Sequence, residues 1–410
     1  MKSRQLSFGS VLLSCGLAAC STQYADPVRA GEDTANGSDP CSQWTRETDC
    51  ARDTANACSV QPNDIGCHLE DSACAAWTCA SGDPFVRRSG PTLFLRERPF
   101  RFVGANAWGV GGRDGDCRYG SFSSQQEMLA QVFGDLADMR VQVLRVWAFQ
   151  SYCGSTGTDY SALDQVIRYA RAAGVRVIFV LENMWDDCSK GTRDDAWFAA
   201  GYRAPYGGYA LSLPDFASGL VAHFRGEPTV LAWEVMHEAG SGDATAMLDF
   251  ATQMTTLVRN TDRNHLIVLG SDNGDSSGTQ LDGSPSPYTK LQELDTVDLV
   301  DTHDFFANDT PLTAREQADC AVARGLHKPC FVGASTASLS GTSAQEFSAR
   351  AERVSSKAQA AFDAGYAGYL VYAYTPGWQN PTFDFDARSD EPLAGSSGTL
   401  AKIANQLRTQ

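Results

Sequence analysis

The sequence predicts an α/β fold for most of its 410 residues, a (β/α)8 TIM barrel preceded by a signal peptide and a small disulfide-rich segment. Strand-like and helix-like segments alternate from about residue 85 to the end of the chain, which is typical of this barrel. Doubly wound sheets also alternate, but they rarely reach eight regular units. No Gly-rich phosphate loop follows the first strand, and its absence disfavours a doubly wound nucleotide-binding sheet.

The predicted barrel strands are short apolar runs that end in polar side chains. They comprise residues 100–107, 142–148, 175–182, 229–237, 265–270, 297–303, 329–335 and 367–374. Two of the helices between them have clear start signals. Asp243 precedes one, and Ser343 with Glu346 makes a capping box before another, which Gly365 ends. Residues 85–100 alternate in hydropathy and predict a hairpin before the first barrel strand.

Three segments precede the barrel, which is predicted over residues 85–410. Residues 1–19 indicate a lipoprotein signal peptide, because a short basic start is followed by an apolar run too short to span a bilayer. The run ends Leu-Ala-Ala-Cys, which resembles a bacterial lipobox and predicts lipidation of Cys20. Residues 20–40 lack the apolar side chains for a core and predict a flexible tether, and residues 41–84 form a Cys-rich mini-module.

The Cys-rich mini-module has few apolar residues, so disulfides are expected to stabilise it. Its six cysteines are Cys41, Cys50, Cys58, Cys67, Cys74 and Cys79. Six thiols form three disulfides in one of fifteen pairings. A zinc site is the competing interpretation, but the spacing lacks paired C-x-x-C clusters. The mini-module either binds sugar or spaces the barrel from the anchor.

Composition limits the classes of partner. The chain has 33 Lys+Arg against 49 Asp+Glu, a formal charge of −16, which argues against a nucleic-acid-binding protein because phosphate contact needs a basic surface. Thirteen cysteines indicate export from the reducing cytosol. No later segment has a membrane-length apolar stretch. The mature chain is therefore expected in the bacterial cell envelope, anchored through Cys20, and Ser21 after it favours the outer membrane or cell surface.

Functional side chains are expected at the carboxyl ends of the barrel strands. Arg145 lies in a strand otherwise fit for burial, so it is expected to point into a polar site and to need a carboxylate partner. Glu238, beside His237 at the end of the fourth strand, is a candidate for general acid/base work. Aromatic side chains near such carboxylates suit sugar rings. The other candidates at strand ends are Asn106, Trp108, Trp147, Asn183, Trp185, His303, Tyr372, Tyr374 and Trp378.

The strand ends resemble those of glycoside hydrolase family 5, and within it the endo-β-1,4-mannanases. The segments that carry the resemblance are FVGANAW (102–108), RVW (145–147), ENMWDD (182–187), AWEVMHE (232–238) and TH (302–303). The resemblance covers about residues 85–405 and implies hydrolysis of β-linked polysaccharide with retention, by two glutamates and no cofactor. It implies that Glu238 is the acid/base, that Arg145 supports the nucleophile, and that His303 lines the cleft with Tyr372 or Tyr374.

Two positions depart from the family pattern. The family has Asn before the acid/base Glu, where it holds the sugar 2-hydroxyl, and this chain has His237. The nucleophilic Glu of the family ends the seventh strand, and this chain has Ala334 there, with no Glu between Glu316 and Glu346. Because a methyl group cannot attack an anomeric carbon, we expect a surface lipoprotein that recognises β-1,4-linked polysaccharide of the mannan type, with hydrolysis weak or lost.

Two other interpretations stay open. An active endo-β-mannanase would need a rearranged carboxylate pair around Glu238, with Glu182, Asp272 or Asp304 as the second member about 6.5–9.5 Å away. Ser335 is a poor substitute because a hydroxyl needs an activating base. Alternatively, the chain is a structural or adhesive lipoprotein that keeps the barrel as a scaffold.

The remaining cysteines predict at least one disulfide in the barrel. Cys320 and Cys330 flank the turn into the seventh strand and are expected to pair. The three cysteines that follow the first three strands are Cys117, Cys153 and Cys188. Two of them are expected to bridge, with the third free or paired with the Cys-rich mini-module. Residues 272–275 offer oxygen ligands but lack the closing Glu of a calcium loop, so a polar turn is expected and no metal.

Overall fold

The computed structural model describes residues 67–70, 76–79, 83–112, 117–120, 122–271, 287–305, 310–377, 383–388 and 392–408. The predicted signal peptide, the tether and most of the Cys-rich mini-module lie outside these residues. So do three predicted positions: the lipidation site Cys20, the polar turn at Asp272 and the ligand-binding candidate Trp378.

In the described residues that precede the barrel, the chain forms two small antiparallel sheets. Their strands are β1 (Cys67–Glu70), β2 (Ala76–Cys79), β3 (Val86–Ser89), β4 (Thr92–Leu95) and β5 (Arg98–Pro99). Strand β1 pairs with β2, and β4 pairs with both β3 and β5. Gly90 makes the turn between β3 and β4 with a φ of 57°, which glycine adopts without strain. The hairpin predicted for residues 85–100 is confirmed, with β5 added as a third strand.

Eight parallel strands form the barrel. They are β6 (Phe102–Asn106), β7 (Val143–Trp147), β8 (Arg176–Val180), β9 (Val230–Glu234), β10 (Leu266–Val268), β11 (Val300–Asp304), β12 (Cys330–Ser335) and β13 (Gly368–Val371). Each strand lies within one residue of its predicted range. The apolar, β-branched composition of these segments suits strands that are covered on both faces, as parallel strands are.

The strand order closes the sheet almost completely. Neighbouring strands follow the order β10, β9, β8, β7, β6, β13, β12, β11. Between the two ends of this order, the backbone N–H groups of Asp298 and Leu299 donate to the carbonyl of Ile267. The predicted (β/α)8 TIM barrel is therefore confirmed, and it gathers the carboxyl ends of all eight strands at one rim.

Packing inside the barrel leaves almost no strand residue exposed. All five residues of β7 are buried, including Arg145. An inner cluster of apolar side chains includes Phe102, Ile178, Phe331 and Leu370, and a second, larger cluster lies between the strands and the helices. The polar residues within these strands are therefore removed from solvent, so each needs hydrogen-bond partners inside the protein.

Helices cover the outside of the barrel. They are α1 (Gln125–Asp138), α2 (Ser161–Ala173), α3 (Asp195–Ala199), α4 (Leu213–Phe224), α5 (Ala244–Thr261), α6 (Pro287–Glu293), α7 (Ala314–Gly325), α8 (Ala344–Asp363) and α9 (Thr399–Arg408). The predicted cap at Asp243 is confirmed, because its side chain accepts hydrogen bonds from the first turn of α5. In the described part of the chain, no helix has the length and apolar character to cross a membrane.

The capping box predicted at Ser343 is only half formed. The hydroxyl of Ser343 accepts from the N–H of Glu346, but the Glu346 carboxylate accepts from Ser340 Oγ at 2.8 Å. A complete capping box occurs instead at Thr313 and Glu316, at the start of α7. The prediction failed in this detail because a nearby hydroxyl competes for the carboxylate.

Gly104 provides a test of how closely the barrel strands pack. A Cβ at this position in β6 would lie 1.8 Å from the carbonyl oxygen of Val143 in β7. We expect Gly104→Ala to lower the free energy of unfolding by at least about 3 kcal/mol, because a backbone atom must move. The measurement is chemical denaturation followed by circular dichroism.

The matched control is Gly134→Ala in helix α1. This position is exposed, and a Cβ there would have no neighbour within 4 Å. The substitution is expected to raise the free energy of unfolding by about 0.5–1 kcal/mol through helix propensity. Equal destabilisation by the two substitutions would contradict the packing described for β6 and β7.

Candidate active site

Arg145 forms a buried ion pair near the carboxyl ends of the strands. Its Nε donates to Glu234 Oε2 at 2.7 Å, its Nη2 donates to Glu234 Oε1, and its Nη1 donates to Asn106 Oδ1 at 2.9 Å. Neither charged side chain has exposed surface. Burial alone would lower the pKa of Arg145, but the charge and hydrogen bonds of Glu234 raise it. The carboxylate partner that the sequence requires for Arg145 is therefore Glu234, the last residue of β9.

His237 lies between this ion pair and the rim. Arg145 Nη2 is 3.0 Å from His237 Nδ1, and the indole ring of Trp147 packs 4.9 Å from the imidazole ring, centre to centre. Burial lowers the pKa of His237 well below its ordinary value, and the charge of Arg145 lowers it further. The imidazole is therefore neutral. Because a guanidinium only donates, Nδ1 accepts from Arg145 and the ring proton is on Nε2.

Glu238 has the most accessible carboxylate in this cluster, with 15% of its side chain exposed. Its Oε1 is 2.9 Å from His303 Nδ1, its Oε2 accepts from Trp185 Nε1 at 2.5 Å, and the same oxygen is 3.8 Å from His237 Nε2. The backbone of Glu238 has a φ of 54°, the left-handed region that a non-glycine residue rarely adopts. Such strain is typical of functional sites.

These neighbours make Glu238 a stronger acid than an ordinary glutamate. Burial alone would raise its pKa, but the interactions of its carboxylate with His237, His303 and Trp185 outweigh burial and lower the pKa below the usual range. Glu238 is therefore ionised near neutral pH. A carboxylate that protonates a glycosidic oxygen needs the opposite shift, a raised pKa.

His303 lies between two carboxylates. Its Nδ1 contacts Glu238, and its Nε2 is 3.4 Å from Asp301 Oδ2. Burial alone would lower its pKa, but the hydrogen bonds to Asp301 and Glu238 and their charges raise the pKa of His303 to about 10. The imidazole is consequently a cation that holds Glu238 in place from one side.

Three residues of this cluster have the donor types of a metal site. Ligand atoms of His237, Glu238 and His303 lie within 4.8 Å of one another, and Asp301 stands behind His303 as a second carboxylate. The contact between Arg145 and His237 opposes metal binding, since it leaves the proton on Nε2, the nitrogen that would bind the ion. The cluster is better suited to hydrogen bonding than to ligating a cation.

Trp185 reaches Glu238 because the segment after β8 pairs with the end of β9. Asn183 forms a parallel bridge with His237, and the N–H of Met184 donates to the carbonyl of His237 at 3.0 Å. Trp185 follows with 41% of its surface exposed. The indole therefore has one edge fixed by Glu238 and one face open to a ligand.

A buried hydrogen-bond network around Glu182 stabilises the same segment. The Glu182 carboxylate accepts from Arg193 at 3.1 Å, from Ser189 Oγ at 3.0 Å and from the hydroxyl of Tyr206. The Arg193 guanidinium also stacks on the rings of Tyr206 and Trp197. Several of the aromatic side chains after the third barrel strand therefore pack inside the protein, where they contact a charged residue and do not face solvent.

Among the barrel residues that the structure describes, two cysteine pairs lie at disulfide distance. Cys117 and Cys188, with Cα atoms 5.1 Å apart, join the segment after β6 to the segment after β8. Cys320 and Cys330, the expected pair, have Cα atoms 5.5 Å apart and join α7 to β12. These Cα separations lie in the usual range for disulfides. Cys153 is buried in the apolar core.

Ala334 lies next to His303 in the barrel sheet and is fully buried. The pairing of β12 with β13 shifts register between Val332 and Ser335, across this position. On one side of the shift, the hydroxyl of Ser335 donates to Asp304 Oδ2 at 3.2 Å. Ser335 therefore faces the helix layer rather than Glu238.

The predicted site residues fall into two groups. Six come together around the rim: Arg145, Trp147, Trp185, His237, Glu238 and His303. Trp108 and Tyr372 are half-buried and pack on the aromatic cluster of Trp147, which places them at the edge of this group. Asn106 is buried, and its Nδ2 donates to the Gly333 carbonyl at 2.9 Å. This contact fixes its side chain in the position where Oδ1 accepts from Arg145.

Two predicted ligand-binding residues have side chains that do not face the cleft. Tyr374 is fully buried, and its hydroxyl donates to Asp135 in helix α1, so its side chain faces the helix layer. Asn183 is buried, and its Nδ2 donates to the carbonyl of Asp187 at 2.7 Å within its own turn. Neither side chain has surface for a sugar, because neighbouring protein groups use its polar atoms.

Two members of the cluster, Glu234 and Asp301, were not predicted. The sequence requires a carboxylate partner for Arg145, but Glu234 lies within a predicted apolar strand and nothing in that strand marks it as the partner. Asp301 precedes His303 by two residues on the same strand. Because side chains alternate along a strand, Asp301 and His303 point to the same face, and this alternation is the signal that identifies Asp301 as a neighbour of the site.

The fold is similar to those of solved endo-mannanases. An endo-1,4-beta-mannanase from Rhizomucor miehei superposes with a TM-score of 0.63 at 17% identity, covering 80% of this chain and all of that one. An endo-beta-1,4-mannanase from Thermotoga petrophila superposes with a TM-score of 0.57 at 20% identity, covering 76% and 77%. At this level of sequence identity, the structural similarity is evidence for the fold alone.

Curated mannan endo-1,4-beta-mannosidase sequences are also similar to this chain. A putative mannan endo-1,4-beta-mannosidase 4 of Arabidopsis thaliana is 25% identical over 229 residues, covering 48% of this chain and 55% of the relative. Mannan endo-1,4-beta-mannosidase 2 of rice is 27% identical over 237 residues, covering 50% and 51%. This chain thus spans about half the length of the curated relatives it matches. The family model described as Cellulase (glycosyl hydrolase family 5) matches residues 104–369, and the chain therefore belongs to glycosyl hydrolase family 5.

Proposed function

We propose that this chain binds β-1,4-linked polysaccharide of the mannan type and hydrolyses it weakly or not at all. The observation that carries the proposal is Ala334 at the position where the family resemblance expects the nucleophilic glutamate. A retaining mechanism needs two carboxyl groups about 5–5.5 Å apart, one to attack the anomeric carbon and one to protonate the leaving oxygen. A methyl side chain supplies neither function.

The surroundings of Glu238 support this proposal. Within the described residues, the groups in contact with its carboxylate are His303, Trp185 and His237, two imidazoles and an indole. In a working pair, the charge of the second carboxylate raises the pKa of the acid. Here the charge next to Glu238 is the His303 imidazolium, and the pKa of Glu238 is lowered.

Two of the three carboxylates considered for a rearranged pair have other partners, and the third, Asp272, lies outside the described residues. Glu182 is bound by Arg193 and Tyr206, and Asp304 is bound by Lys357 and Ser335. Both carboxylates are at least 96% buried. These contacts favour a binding protein over an active glycosidase that uses either residue.

The choice of ligand class rests on the relatives and on the exposed aromatic surface. The curated relatives and several of the similar structures are named for action on mannan. Trp185 offers an open indole face beside a carboxylate, an arrangement that suits a pyranose ring with its apolar face and its hydroxyls. Together they favour mannan-type chains as the first ligands to test.

Restoring the second carboxylate tests the proposal. We expect Ala334→Glu to raise reducing-sugar release from mannan by at least about 100-fold over the unsubstituted chain, because a positioned catalytic group contributes about that much or more. Ala334→Gln is the matched control, with equal size and no charge. Release by the unsubstituted chain that disappears in Glu238→Gln would contradict the proposal and favour a rearranged pair.

A small anion tests the same site without a bulky substitution. Formate or azide is expected to accelerate cleavage of an activated aryl β-mannoside by the unsubstituted chain, with a rate that rises and saturates as the anion concentration increases. The anion would take the place of the absent carboxylate beside Ala334. Ala334→Gln, which fills that space, should abolish the effect, and an unchanged rate in the unsubstituted chain would count against the proposal.

We also propose that the chain is anchored through a lipid on Cys20. The basic start, the short apolar run and the Leu-Ala-Ala-Cys sequence support this anchoring. Metabolic labelling with a radioactive fatty acid in a bacterial host should label the wild-type chain and not Cys20→Ala. Equal labelling, or equal release of both chains from the membrane fraction without detergent, would rule out the anchor.

A further inference from the structure

We propose that the face of the barrel opposite the rim docks on a membrane surface that contains anionic lipid headgroups, with the cleft pointing away from the membrane. This inference goes beyond the proposed glycan binding. The amino-end face, as we name it, comprises residues 83–101 and the segments that join each helix to the next barrel strand. These segments are residues 138–142, 171–176, 225–229, 259–265, 293–299, 324–329 and 363–367.

The sheet β3–β5 joins these segments into one surface. Arg87 Nη1 donates to the carbonyl of Asn264 at 2.6 Å, and Arg88 Nη1 donates to the carbonyl of His327 at 3.3 Å. Both carbonyls belong to segments that enter barrel strands. In a (β/α)8 barrel such segments lie at the amino ends of the strands, on the side away from the rim. The sheet therefore covers that end of the barrel.

The amino-end face carries an excess of positive charge in a chain whose formal charge is −16. Its segments contain 13 Arg or Lys against 9 Asp or Glu. The described segments that follow the strands at the rim have the opposite balance, 5 Arg or Lys against 10 Asp or Glu. The charged residues at the rim lie in segments 117–120, 148–160, 181–212, 235–243 and 383–388. The two ends of the barrel are thus oppositely charged.

Several cations of the amino-end face are held by carbonyl groups at the ends of helices. Arg101 Nη2 donates to the carbonyls of Phe362 and Tyr366 after helix α8, and Lys328 Nζ donates to the carbonyl of Leu294 at 2.7 Å after helix α6. These carbonyls have no partner within the helix, which accounts for basic residues at this end of the barrel. Because a carbonyl is uncharged, a cation bonded to it keeps its full charge.

Other arginines of this face extend into solvent. Arg98, Arg225 and Arg263 are exposed. Asn264 connects two of them, since it follows Arg263 and its Nδ2 donates to the carbonyl of Arg225 at 2.9 Å. An exposed guanidinium on a long side chain suits a phosphate group, to which it donates two hydrogen bonds at once. These three arginines are therefore positioned to contact lipid phosphates.

The net charge of −16 does not oppose such docking. At physiological ionic strength, exposed charges act over a distance of about 8 Å, so a surface touching the amino-end face senses the local excess of cations. The acidic rim is repelled by the same surface. Attraction at one end and repulsion at the other select the orientation in which the cleft faces away from the lipid.

A membrane is the partner that fits the place where the chain enters the barrel. Asp83 Oδ2 accepts from Arg87 Nε at 2.6 Å, so the segment that leads back toward the predicted anchor at Cys20 meets the barrel at the amino-end face. The predicted tether of residues 20–40 extends at most about 70 Å, which leaves the barrel free to turn. Tethering raises the local concentration of the barrel, so a weak surface contact is enough to orient it.

Vesicle co-sedimentation of residues 20–410 with Cys20→Ala tests the docking in the absence of a lipid anchor. We expect vesicles with about 30% phosphatidylglycerol to bind this chain at least about 100-fold more tightly than vesicles of phosphatidylcholine alone, at an ionic strength of about 0.05 M. At about 0.5 M salt the two affinities should agree within about threefold, because salt screens exposed charges.

A triple substitution assigns the binding to the amino-end face. Combining Arg98→Gln, Arg225→Gln and Arg263→Gln should weaken binding to the anionic vesicles by about 10-fold to 100-fold, because each arginine near an anionic surface strengthens binding about fivefold. The matched control combines Arg168→Gln, Arg203→Gln and Lys402→Gln, which removes the same charge from exposed or half-buried positions elsewhere. The control should bind within about threefold of the parent chain.

Fluorescence quenching tests the orientation. Trp185 marks the rim, and its contribution is the difference in emission between the parent chain and Trp185→Phe. We expect acrylamide to quench this contribution equally in the presence and absence of anionic vesicles, because the rim stays in water. Protection of Trp185 by the vesicles would overturn the proposed orientation.

The remaining outcomes separate this inference from the proposed function. Equal binding to the two kinds of vesicle, or equal weakening in the two triple variants, would overturn the inference. Tighter binding to duplex DNA than to the anionic vesicles would also overturn it, since the face would then be a general polyanion site. Titration of the same chain with β-1,4-mannohexaose tests glycan binding separately, so failure of either proposal leaves the other standing.

Discussion

The ion pair between Arg145 and Glu234 holds the rim of the barrel together at the site. Neither side chain has exposed surface, and the guanidinium also contacts Asn106 and His237. Removing one partner of such a pair leaves an uncompensated buried charge, which costs about 3–5 kcal/mol. The pair therefore has two consequences. It connects β6, β7 and β9 at their carboxyl ends, and it determines which nitrogen of His237 carries the proton.

The charge pattern around Glu238 follows from this arrangement. His237 is kept neutral by burial and by Arg145, and His303 is kept cationic by Asp301 and Glu238. A site with two acids in concert has a different balance, in which one carboxylate keeps the other protonated. The same backbone geometry can therefore support catalysis or recognition, depending on whether position 334 carries a charge. Fold alone does not decide between them.

The barrel was predictable from the sequence because its signals are local and repeated. Apolar runs of strand length, caps such as Asp243 and polar strand ends each depend on a few neighbouring residues. The contacts of the site depend on residues far apart in the chain. Glu238 and Trp185 are 53 residues apart, and Arg145 and Glu234 are 89 residues apart. The sequence predicted that Arg145 needs a carboxylate, but it could not select Glu234. Tyr374 was misplaced for a similar reason, since its hydroxyl bonds to a helix 239 residues away.

The pairing of Cys117 with Cys188 has a consequence for how this protein is prepared. It joins the segments after β6 and β8, and the second of these carries Trp185. In chains made in a reducing cytosol these two thiols stay apart, and the indole wall of the cleft is attached to the barrel at fewer points. Glycan assays on such material would measure a looser opening than the disulfide-bonded chain has, so oxidative refolding or periplasmic expression belongs ahead of any affinity measurement.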